Sequence, residues 1–357
     1  KLLADHQNLP AAQLDPEHNP LHRFYNNKTE MVQLSDLNEN NPAVMDYLSN
    51  AYINFIDDGA SAFRIDTIKH MPLPFWREFS ARIRTYRPGF FMFAEAFDYD
   101  ATKLAPFTWS ENGGITVLDF PMKERIDKVF SRTQAGFETL EDGLHLDDGL
   151  YQDPYTLMTF YDNHDMPRMD AGDHGFIDAH NWLFTARGIP VIYYGSEIGF
   201  MRGKTEHEGN RNYFGQDRIN GAASSPIYQS LQRIAQVRRE TPALQRGLQL
   251  NLQLKGNRAA FYRVFQYAGQ SQSALVLLNK GDKPARFHLK SMLQPGEWRS
   301  ALGAQRYTIA SGRPKLKLTV PAHGVEVLLF DKALTEPALI EALNRLQAGK
   351  VRRTSGE

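Results

Sequence analysis

Short apolar runs alternate with amphipathic stretches over the first two thirds of the chain. The apolar runs predict strands within 61–66, 89–97, 115–120, 155–165 and 189–195. Between them, apolar residues at spacings of three and four predict helices within 41–58, 74–86, 121–130, 175–188 and 225–241. Buried strands that alternate with helices are typical of a parallel sheet, so we expect a parallel α/β architecture.

The helix that opens this series has boundaries that can be recognised in the sequence. Asn41 can cap it and Pro42 suits its first position, because the missing N–H of proline would be unpaired there anyway. Gly59 ends it. The apolar spacing predicts that its buried stripe consists of Val44, Leu48, Tyr52, Phe55 and Ile56.

The pattern changes from about residue 244 onward. Five strand-like runs separated by turn residues predict a separate antiparallel β domain at 244–332; they lie at 248–256, 258–267, 273–281, 285–290 and 324–330. Residues 333–357 form a helical and polar tail, and residues 1–40 form an irregular loop region. The predicted α/β part therefore spans 41–243.

Bulk composition excludes few classes of protein. The 357 residues are 42% hydrophobic and 23% charged, with a formal net charge of zero, which gives no reason to expect nucleic acid or an anionic membrane as partner. No apolar run reaches the roughly 18 residues of a membrane span, and no signal peptide is visible. There is no cysteine, so there is no disulfide framework.

Carboxylates follow the predicted strands at the point where each strand ends. Asp66 ends the first strand and Glu95 the second, and a later strand is followed by "DNHD" at 162–165. A single strand-end Asp is more often a helix cap or a loop partner. Several such carboxylates at the carboxyl ends of parallel strands indicate catalysis, because these ends carry the active site in α/β barrels.

Paired carboxylates in a cleft suit the hydrolysis of a glycosidic bond. Arg64 lies two residues before Asp66, so both side chains point to one face of the strand, and the guanidinium favours an ionised nucleophile. Glu95 lies among phenylalanines and alanines, and apolar surroundings favour a carboxyl that keeps its proton and can donate it.

Four segments of the chain resemble those of the α-amylase family of glycoside hydrolases. They are "FRIDTIKHM", "MFAEAF", "FYDNHD" and "GIPVIYYGSEIG", in the family's order, with Glu95 29 positions after Asp66 and Asp165 70 positions after Glu95. The resemblance covers roughly residues 30–330. It implies a (β/α)8 TIM barrel, of which this chain carries strands 4–8, followed by an antiparallel β-sandwich.

The resemblance also implies a role for each matching residue. Asp66 matches the nucleophile that forms a covalent glycosyl-enzyme intermediate, and Glu95 matches the general acid/base. Asp165 matches the third carboxylate, which binds sugar hydroxyls and helps to distort the ring. Arg64 matches the arginine that holds the nucleophile, and His164 matches a histidine that contacts the sugar.

Further matches concern the edges of the cleft. Lys69 and His70 match a pair in α-amylases and cyclodextrin glucanotransferases, in which the Lys contacts the leaving sugar and the His offers its carbonyl to a structural calcium ion. "LSDLNENNP" resembles the segment whose Asp, here Asp36, is another calcium ligand. In "GKTEHEGNR", a match to a substrate-binding loop, Arg211 fits best and Glu206 less well.

Two positions favour different reactions, one hydrolysis and the other glucan transfer. Cyclodextrin glucanotransferases carry a large aromatic residue four positions before the calcium Asp, whereas this chain has Val32, as ordinary α-amylases do. Phe97, two residues past the acid/base, is glucanotransferase-like. The leading expectation is a retaining hydrolase of starch or maltodextrins. The alternatives are a cyclodextrin glucanotransferase or cyclomaltodextrinase, and, in another class, a non-catalytic homologue that binds glucan.

The family's first characteristic segment and first three strands find no match here, and the 35 residues before Asp36 cannot hold them. We therefore expect the chain to be the carboxyl-terminal part of a longer protein, whose amino-terminal half would be a partner beside the α-glucan substrate. We expect no organic cofactor, no nucleic acid and no membrane partner, and a secreted or periplasmic location.

Overall fold

The computed structural model describes residues 11–26, 36–132 and 135–350. The chain divides into two compact units. The first comprises residues 1–97 and 103–117, and the second comprises residues 98–102 and 118–357. None of the described helices is long and apolar enough to span a membrane. The domain limits at 40, 243 and 332 stay predictions.

The first unit is built on a three-stranded parallel sheet in the order β1-β2-β3. Its strands are β1 (Ala62–Ile65), β2 (Phe91–Ala94) and β3 (Thr116–Val117). Its helices are α1 (Leu21–Phe24), α2 (Pro42–Asp57), α3 (Leu73–Tyr86) and α4 (Ala101–Thr108), the last beginning with two residues of the second unit. Strand and helix alternate from α2 to β3, which confirms the predicted parallel arrangement of this part.

Helix α2 begins as its sequence predicts, but it buries a different face. The Asn41 side chain accepts a hydrogen bond from the amide of Ala43 at 3.0 Å, which confirms the cap. The buried residues of α2 are Val44, Met45, Ser49 and Ile56. Tyr52 and Phe55 of the predicted stripe are instead 42% and 58% exposed, although the Tyr52 ring still packs against Phe63 of β1, with the ring centres 5.3 Å apart.

Strand β1 is an edge strand. Within the described residues it pairs only with β2, and its own side chains are half-buried or exposed. The first unit also exposes a set of large aromatic side chains on α2, α3 and β2: Tyr47, Tyr52, Phe55, Tyr86 and Phe91. A strand edge of this kind leaves backbone N–H and C=O groups without a ladder partner.

The second unit contains a short two-stranded parallel sheet, β4 (Met158–Thr159) with β5 (Ile189–Pro190). A parallel bridge between Leu118 and Met158 extends this pairing. Six helices belong to this part: α5 (Phe120–Phe130), α6 (Asp173–Thr185), α7 (Glu206–Gly209), α8 (Gln216–Gly221), α9 (Pro226–Glu240) and α10 (Pro242–Arg246). Both strands are shorter than predicted, although the amide of Val191 donates to the carbonyl of Thr159 at 2.8 Å and so continues their pairing past Pro190.

Two antiparallel sheets follow in the same unit. The larger has the order β11-β10-β13-β8-β7-β6 and the smaller pairs β12 with β9. The strands are β6 (Leu248–Lys255), β7 (Arg258–Tyr267), β8 (Gln270–Asn279), β9 (Ala285–Leu289), β10 (Gly296–Ser300), β11 (Arg306–Ile309), β12 (Leu316–Val320) and β13 (Gly324–Phe330), and helix α11 (Pro337–Lys350) follows. Both sheets contribute to one hydrophobic cluster around Trp298. The sequence pattern did not predict β10, β11 and β12, which are only four or five residues long and contain few apolar residues.

A fully buried ion pair lies in the second unit. The Arg187 guanidinium contacts Asp119 at 2.5 Å, and both side chains are at most 1% exposed. Arg187 also donates to the carbonyls of Leu144 at 3.0 Å and Gly143 at 2.5 Å. Asp119 accepts the amide of Met122 as the cap of α5. Every charged atom of the pair thus has a partner, as buried charges require.

Candidate active site

Backbone hydrogen bonds hold the strand-end carboxylates of the first unit beside each other. The amide of Glu95 donates to the carbonyl of Ile65 at 2.8 Å, and the carbonyl of Glu95 accepts the amide of Ile68 at 3.0 Å. These bonds continue the β1–β2 ladder one step past both strands. Because the ladder register pairs Ile65 with Ala94, the next residues, Asp66 and Glu95, stand at equivalent positions of neighbouring strands.

One guanidinium joins the two carboxylates. Arg64 contacts Asp66 through Nη1 at 2.8 Å and Glu95 through Nη2 at 2.5 Å. The fork of donors on arginine permits this, since each terminal nitrogen serves a different carboxylate. The sequence predicts the Arg64–Asp66 contact on one strand face, and the structure confirms it. The second contact, across the sheet to Glu95, was not predicted.

The two carboxylates differ in exposure rather than in their arginine partner. The Asp66 side chain is 66% exposed, whereas the Glu95 side chain is 11% exposed. The sequence analysis separated them by a charged neighbour for Asp66 and apolar neighbours for Glu95. Because Arg64 contacts both, burial is the property that distinguishes them in the structure.

The turn after Asp66 brings a cationic and an aromatic side chain to the same strand ends. Thr67 has a left-handed backbone (φ 48°), which is uncommon for a β-branched residue and marks a sharply bent turn. Ile68–His70 form a short 3-10 turn, anchored by Trp76, whose indole N–H donates to the carbonyl of Ile68 at 2.8 Å. Lys69 Nζ donates to the carbonyl of Phe97 at 2.5 Å, and the Phe97 side chain is 48% exposed.

The expected calcium ligands, Asp36 and the carbonyl of His70, are oxygen donors of the right kind. Asp36 Oδ2 accepts the side-chain amide of Asn26 at 2.9 Å, and the same amide lies 3.1 Å from Glu39 Oε2. His70 offers a backbone carbonyl in the turn after β1. Among residues 11–26, 36–132 and 135–350, no three His, Asp or Glu side chains are grouped to hold a metal. The donor chemistry fits calcium, which binds carboxylate and carbonyl oxygens.

The second unit presents the third carboxylate with two of its predicted neighbours. The amide of Asp165 donates to Asn163 Oδ1 at 2.9 Å, which closes the turn after β4. His164 Nε2 lies 3.0 Å from Asp165 Oδ2. Arg211 pairs with Asp165 Oδ1 and donates through Nε to the carbonyl of His164 at 3.1 Å. His164, Asp165 and Arg211, predicted from separate segments, therefore form one cluster.

Glu206 is not part of this cluster. It begins helix α7, and its charged partner in the described part of the chain is His207, at 3.7 Å. The weaker match of Glu206 to the substrate-binding loop thus has no contact with Arg211 or Asp165 to support it.

Sequence analysis missed the buried charges beneath this cluster. Asp162 is 2% exposed and accepts the amide of Met169 and the hydroxyl of Ser196, both at 2.7 Å. Burial raises its pKa above the ordinary value. The buried Arg168 lies 4.0 Å away. Asp162 opens the segment "DNHD" and Arg168 lies six positions after it, but a single sequence does not indicate which charges in this part of the chain turn inward.

Comparisons with known proteins find similarity over most of this chain. A family model described as alpha amylase, catalytic domain, matches residues 17–224. The cyclomaltodextrin glucanotransferase of Niallia circulans is 29% identical over 324 residues, which are 87% of this chain and 43% of that protein. The alpha-amylase of Streptomyces lividans is 28% identical over 348 residues, 85% of this chain and 37% of that protein. The chain thus spans less than half the length of these relatives.

Solved structures show the same similarity. The alpha-amylase of Geobacillus thermoleovorans, solved in complex with acarbose, aligns with a TM-score of 0.73 and 26% identity over 91% of this chain and 72% of that one. CldA, a cyclomaltodextrin glucanotransferase with three domains, aligns with a TM-score of 0.72 and 26% identity over 93% of this chain and 68% of that one.

Proposed function

This chain belongs to the alpha-amylase catalytic-domain family, and from that premise we propose that the protein carrying it hydrolyses α-1,4-glucosidic bonds of starch or maltodextrins. The observation that carries the proposal is the pairing of Arg64 with two carboxylates at adjacent strand ends, the exposed Asp66 and the buried Glu95. In the proposed barrel, β1 to β5 correspond to strands 4–8, and the antiparallel sheets form the sandwich that follows.

The exposed and the buried carboxylate suit the two roles of a retaining mechanism. The Asp66 carboxylate attacks the anomeric carbon while Glu95 gives its proton to the departing glycosidic oxygen, so the C–O bond breaks and a glycosyl ester forms on Asp66. The ionised Glu95 then takes a proton from water, whose oxygen attacks the same carbon and releases Asp66 as a carboxylate. When a sugar hydroxyl replaces water, the same steps transfer the glycosyl group.

The remaining predicted residues fit the binding of a glucan chain. The exposed Phe97 ring offers a flat apolar face for a sugar ring, and Lys69, held on the Phe97 carbonyl, lies beside it. In the second unit, His164 and Arg211 border Asp165, and we propose that the three bind sugar hydroxyls. Arg64 acts through the two carboxylates. Among the residues proposed to bind the glucan, Glu206 and the side chain of His70 have the least support.

The second candidate function is cyclodextrin formation or ring opening. The exposed Phe97 favours it, and two of the relatives and structures above carry the name cyclomaltodextrin glucanotransferase. Val32, which argues for hydrolysis, lies outside the described residues. The choice depends on whether water or a sugar hydroxyl reaches the glycosyl ester first.

A product profile on starch, maltoheptaose and a cyclodextrin tests the proposal with the full protein. We expect short linear products whose new reducing ends have the α configuration, because two displacements at one carbon retain its configuration. Cyclic products would favour the glucanotransferase, and preferred opening of the cyclodextrin would favour the cyclodextrinase. Glucan binding without any cleavage would replace the proposal by a non-catalytic homologue.

We further propose a structural calcium ion held in part by the Asp36 carboxylate and the His70 carbonyl. Removing calcium from the full protein with a chelator is expected to lower its thermal unfolding temperature, and added calcium, but not magnesium, to restore it, since magnesium demands a tighter octahedral site. Asp36→Asn should weaken the response to calcium, whereas Asp57→Asn at the exposed end of α2 should not. An unfolding temperature that calcium does not change would contradict the proposal.

A further inference from the structure

The loop that carries Arg211 is fixed by three side chains through its backbone carbonyls. Arg168 Nε donates to the carbonyl of Gly209 at 3.1 Å. The Tyr193 hydroxyl donates to the carbonyl of Asn210 at 2.7 Å, and the Tyr194 hydroxyl donates to that of Asn212 at 2.6 Å. We call Arg168, Tyr193 and Tyr194 the loop clamp. Its bonds lie on both sides of residue 211, so they determine where the backbone of Arg211 stands.

The three members of the loop clamp also hold one another. The Arg168 guanidinium lies 4.5 Å from the centre of the Tyr193 ring and 5.1 Å from that of Tyr194, within the range of cation–π contact. Arg168 Nη1 donates to the carbonyl of Tyr194 at 2.9 Å. The Arg168 side chain is fully buried, and Asp162 lies 4.0 Å from it. A buried planar cation with these contacts has few alternative positions, so it gives the tyrosines a rigid base.

The Tyr193 hydroxyl can donate its hydrogen bond to the loop over the whole ordinary pH range. Partial burial, as the main cause, raises the pKa of Tyr193 to about 12, so this hydroxyl keeps its proton at any ordinary pH. The acceptors are backbone carbonyls, whose hydrogen-bonding capacity does not change with pH. The bond from Tyr193 to the loop therefore does not depend on the titration of either partner.

Arg211 is the exposed residue between the clamped positions Asn210 and Asn212. Its side chain is 66% exposed, while its guanidinium reaches Asp165 and the carbonyl of His164. A long exposed arginine has many rotamers, and immobilising it costs conformational entropy. Fixing its backbone from both sides reduces the number of positions from which the guanidinium can leave Asp165.

We infer that Arg168, Tyr193 and Tyr194 are positioning residues that set the place of Arg211 against Asp165, and thereby the affinity for the sugar hydroxyls that these two bind. The inference rests on the proposed function. The clamp acts on binding rather than on bond cleavage, because none of its bonds involves Asp66, Glu95 or their arginine. Its effect should therefore lie in KM for a glucan and leave kcat nearly unchanged.

A double-mutant cycle with maltoheptaose tests the inference in the full protein. Tyr194→Phe and Tyr193→Phe each remove one hydroxyl and keep the ring against Arg168. Each is expected to raise KM about three- to tenfold, the effect of losing one neutral hydrogen bond. In an Arg211→Ala background the same substitutions should raise KM less than about twofold, because their effect passes through Arg211. Tyr267→Phe, whose exposed hydroxyl has no partner in the described residues, is the matched control.

Two outcomes of the cycle would overturn the inference. Equal effects of Tyr194→Phe with and without Arg211 would show that the tyrosine does not act through the arginine. A fall in kcat with unchanged KM would place its effect on chemistry. Arg168→Lys keeps a charge near Asp162 but cannot reach both carbonyls, so it should show the same coupling. If this variant does not fold, the two tyrosine variants decide.

Amide hydrogen exchange of residues 209–212 gives a readout that requires no activity. Tyr194→Phe should speed exchange there relative to Tyr267→Phe, while exchange in β7 and β8 stays unchanged. Unchanged exchange at 209–212 would overturn the inference by itself. If the unmodified protein cleaves no glucan, the proposed function fails, and the loop clamp is then judged on exchange alone.

Discussion

Glu95→Gln is expected to lower kcat on maltoheptaose about 10³-fold, within the range that a positioned general acid/base contributes. Glutamine has nearly the same shape and can still accept the hydrogen bond from Arg64 Nη2, so the strand ends should keep their arrangement. It cannot give a proton to the departing oxygen or take one from water. KM should change little, because the buried residue offers the substrate no new contact.

A substrate with a good leaving group separates this role from a general loss of structure. Fluoride leaves an anomeric carbon without protonation, so Glu95→Gln should lose far less activity on a maltosyl fluoride in the first step. Asp66→Asn should lose activity on both substrates, since it lacks the attacking carboxylate. Glu78→Gln on the exposed face of α3 is the matched control, and its kinetics should equal those of the unmodified protein. Undiminished cleavage of maltoheptaose by Glu95→Gln would remove the assignment.

Arg187→Met is expected to lower the free energy of unfolding by about 3–5 kcal/mol, the cost of leaving one member of a buried ion pair alone. The substitution leaves the Asp119 carboxylate without its charged partner in a site that is at most 1% exposed. It also removes the donors to the carbonyls of Leu144 and Gly143. Denaturation by urea measures the loss.

The exposed pair of Arg299 and Asp331 provides the control. Its two atoms are 3.0 Å apart, yet its side chains are about half exposed, so Arg299→Met should cost less than about 1 kcal/mol. Adding Asp119→Asn to Arg187→Met should recover part of the lost free energy of unfolding. Asparagine removes the buried unpaired charge and can still cap α5. Equal losses for Arg187→Met and Arg299→Met would contradict the argument.

Contacts between residues close together in the sequence could be predicted, whereas contacts between residues far apart in the sequence could not. The cap at Asn41 and the shared face of Arg64 and Asp66 follow from local periodicity, and the structure confirms both. The contact from Arg64 to Glu95 joins residues 31 positions apart, and no local pattern indicates it. The proposed roles of Asp66, Glu95 and Asp165 came from resemblance, and they stay predictions until the kinetics are measured.

The buried side of the second unit was the least predictable part. Arg168 bonds to residues 26 and 41 positions later in the chain, so its burial depends on loops whose course a single sequence does not determine. The short strands β10 to β12 were missed for a related reason: their residues are stabilised by neighbouring strands rather than by an apolar run of their own. Pairing with neighbouring strands, rather than the local sequence, determines that such segments form strands.

The open edge of β1 has a consequence for handling this segment in solution. In the part of the chain that the structure describes, one edge of β1 has no neighbouring strand, and large rings of α2 and β2 are exposed in the same unit; these features let a strand pair with another copy of itself. The one charge on β1, Arg64, forms ion pairs with Asp66 and Glu95 and so does not stand as the unpaired charge that protects many strand edges. Because the net charge of the chain is also zero, we expect the chain to self-associate in solution unless this edge of β1 is covered.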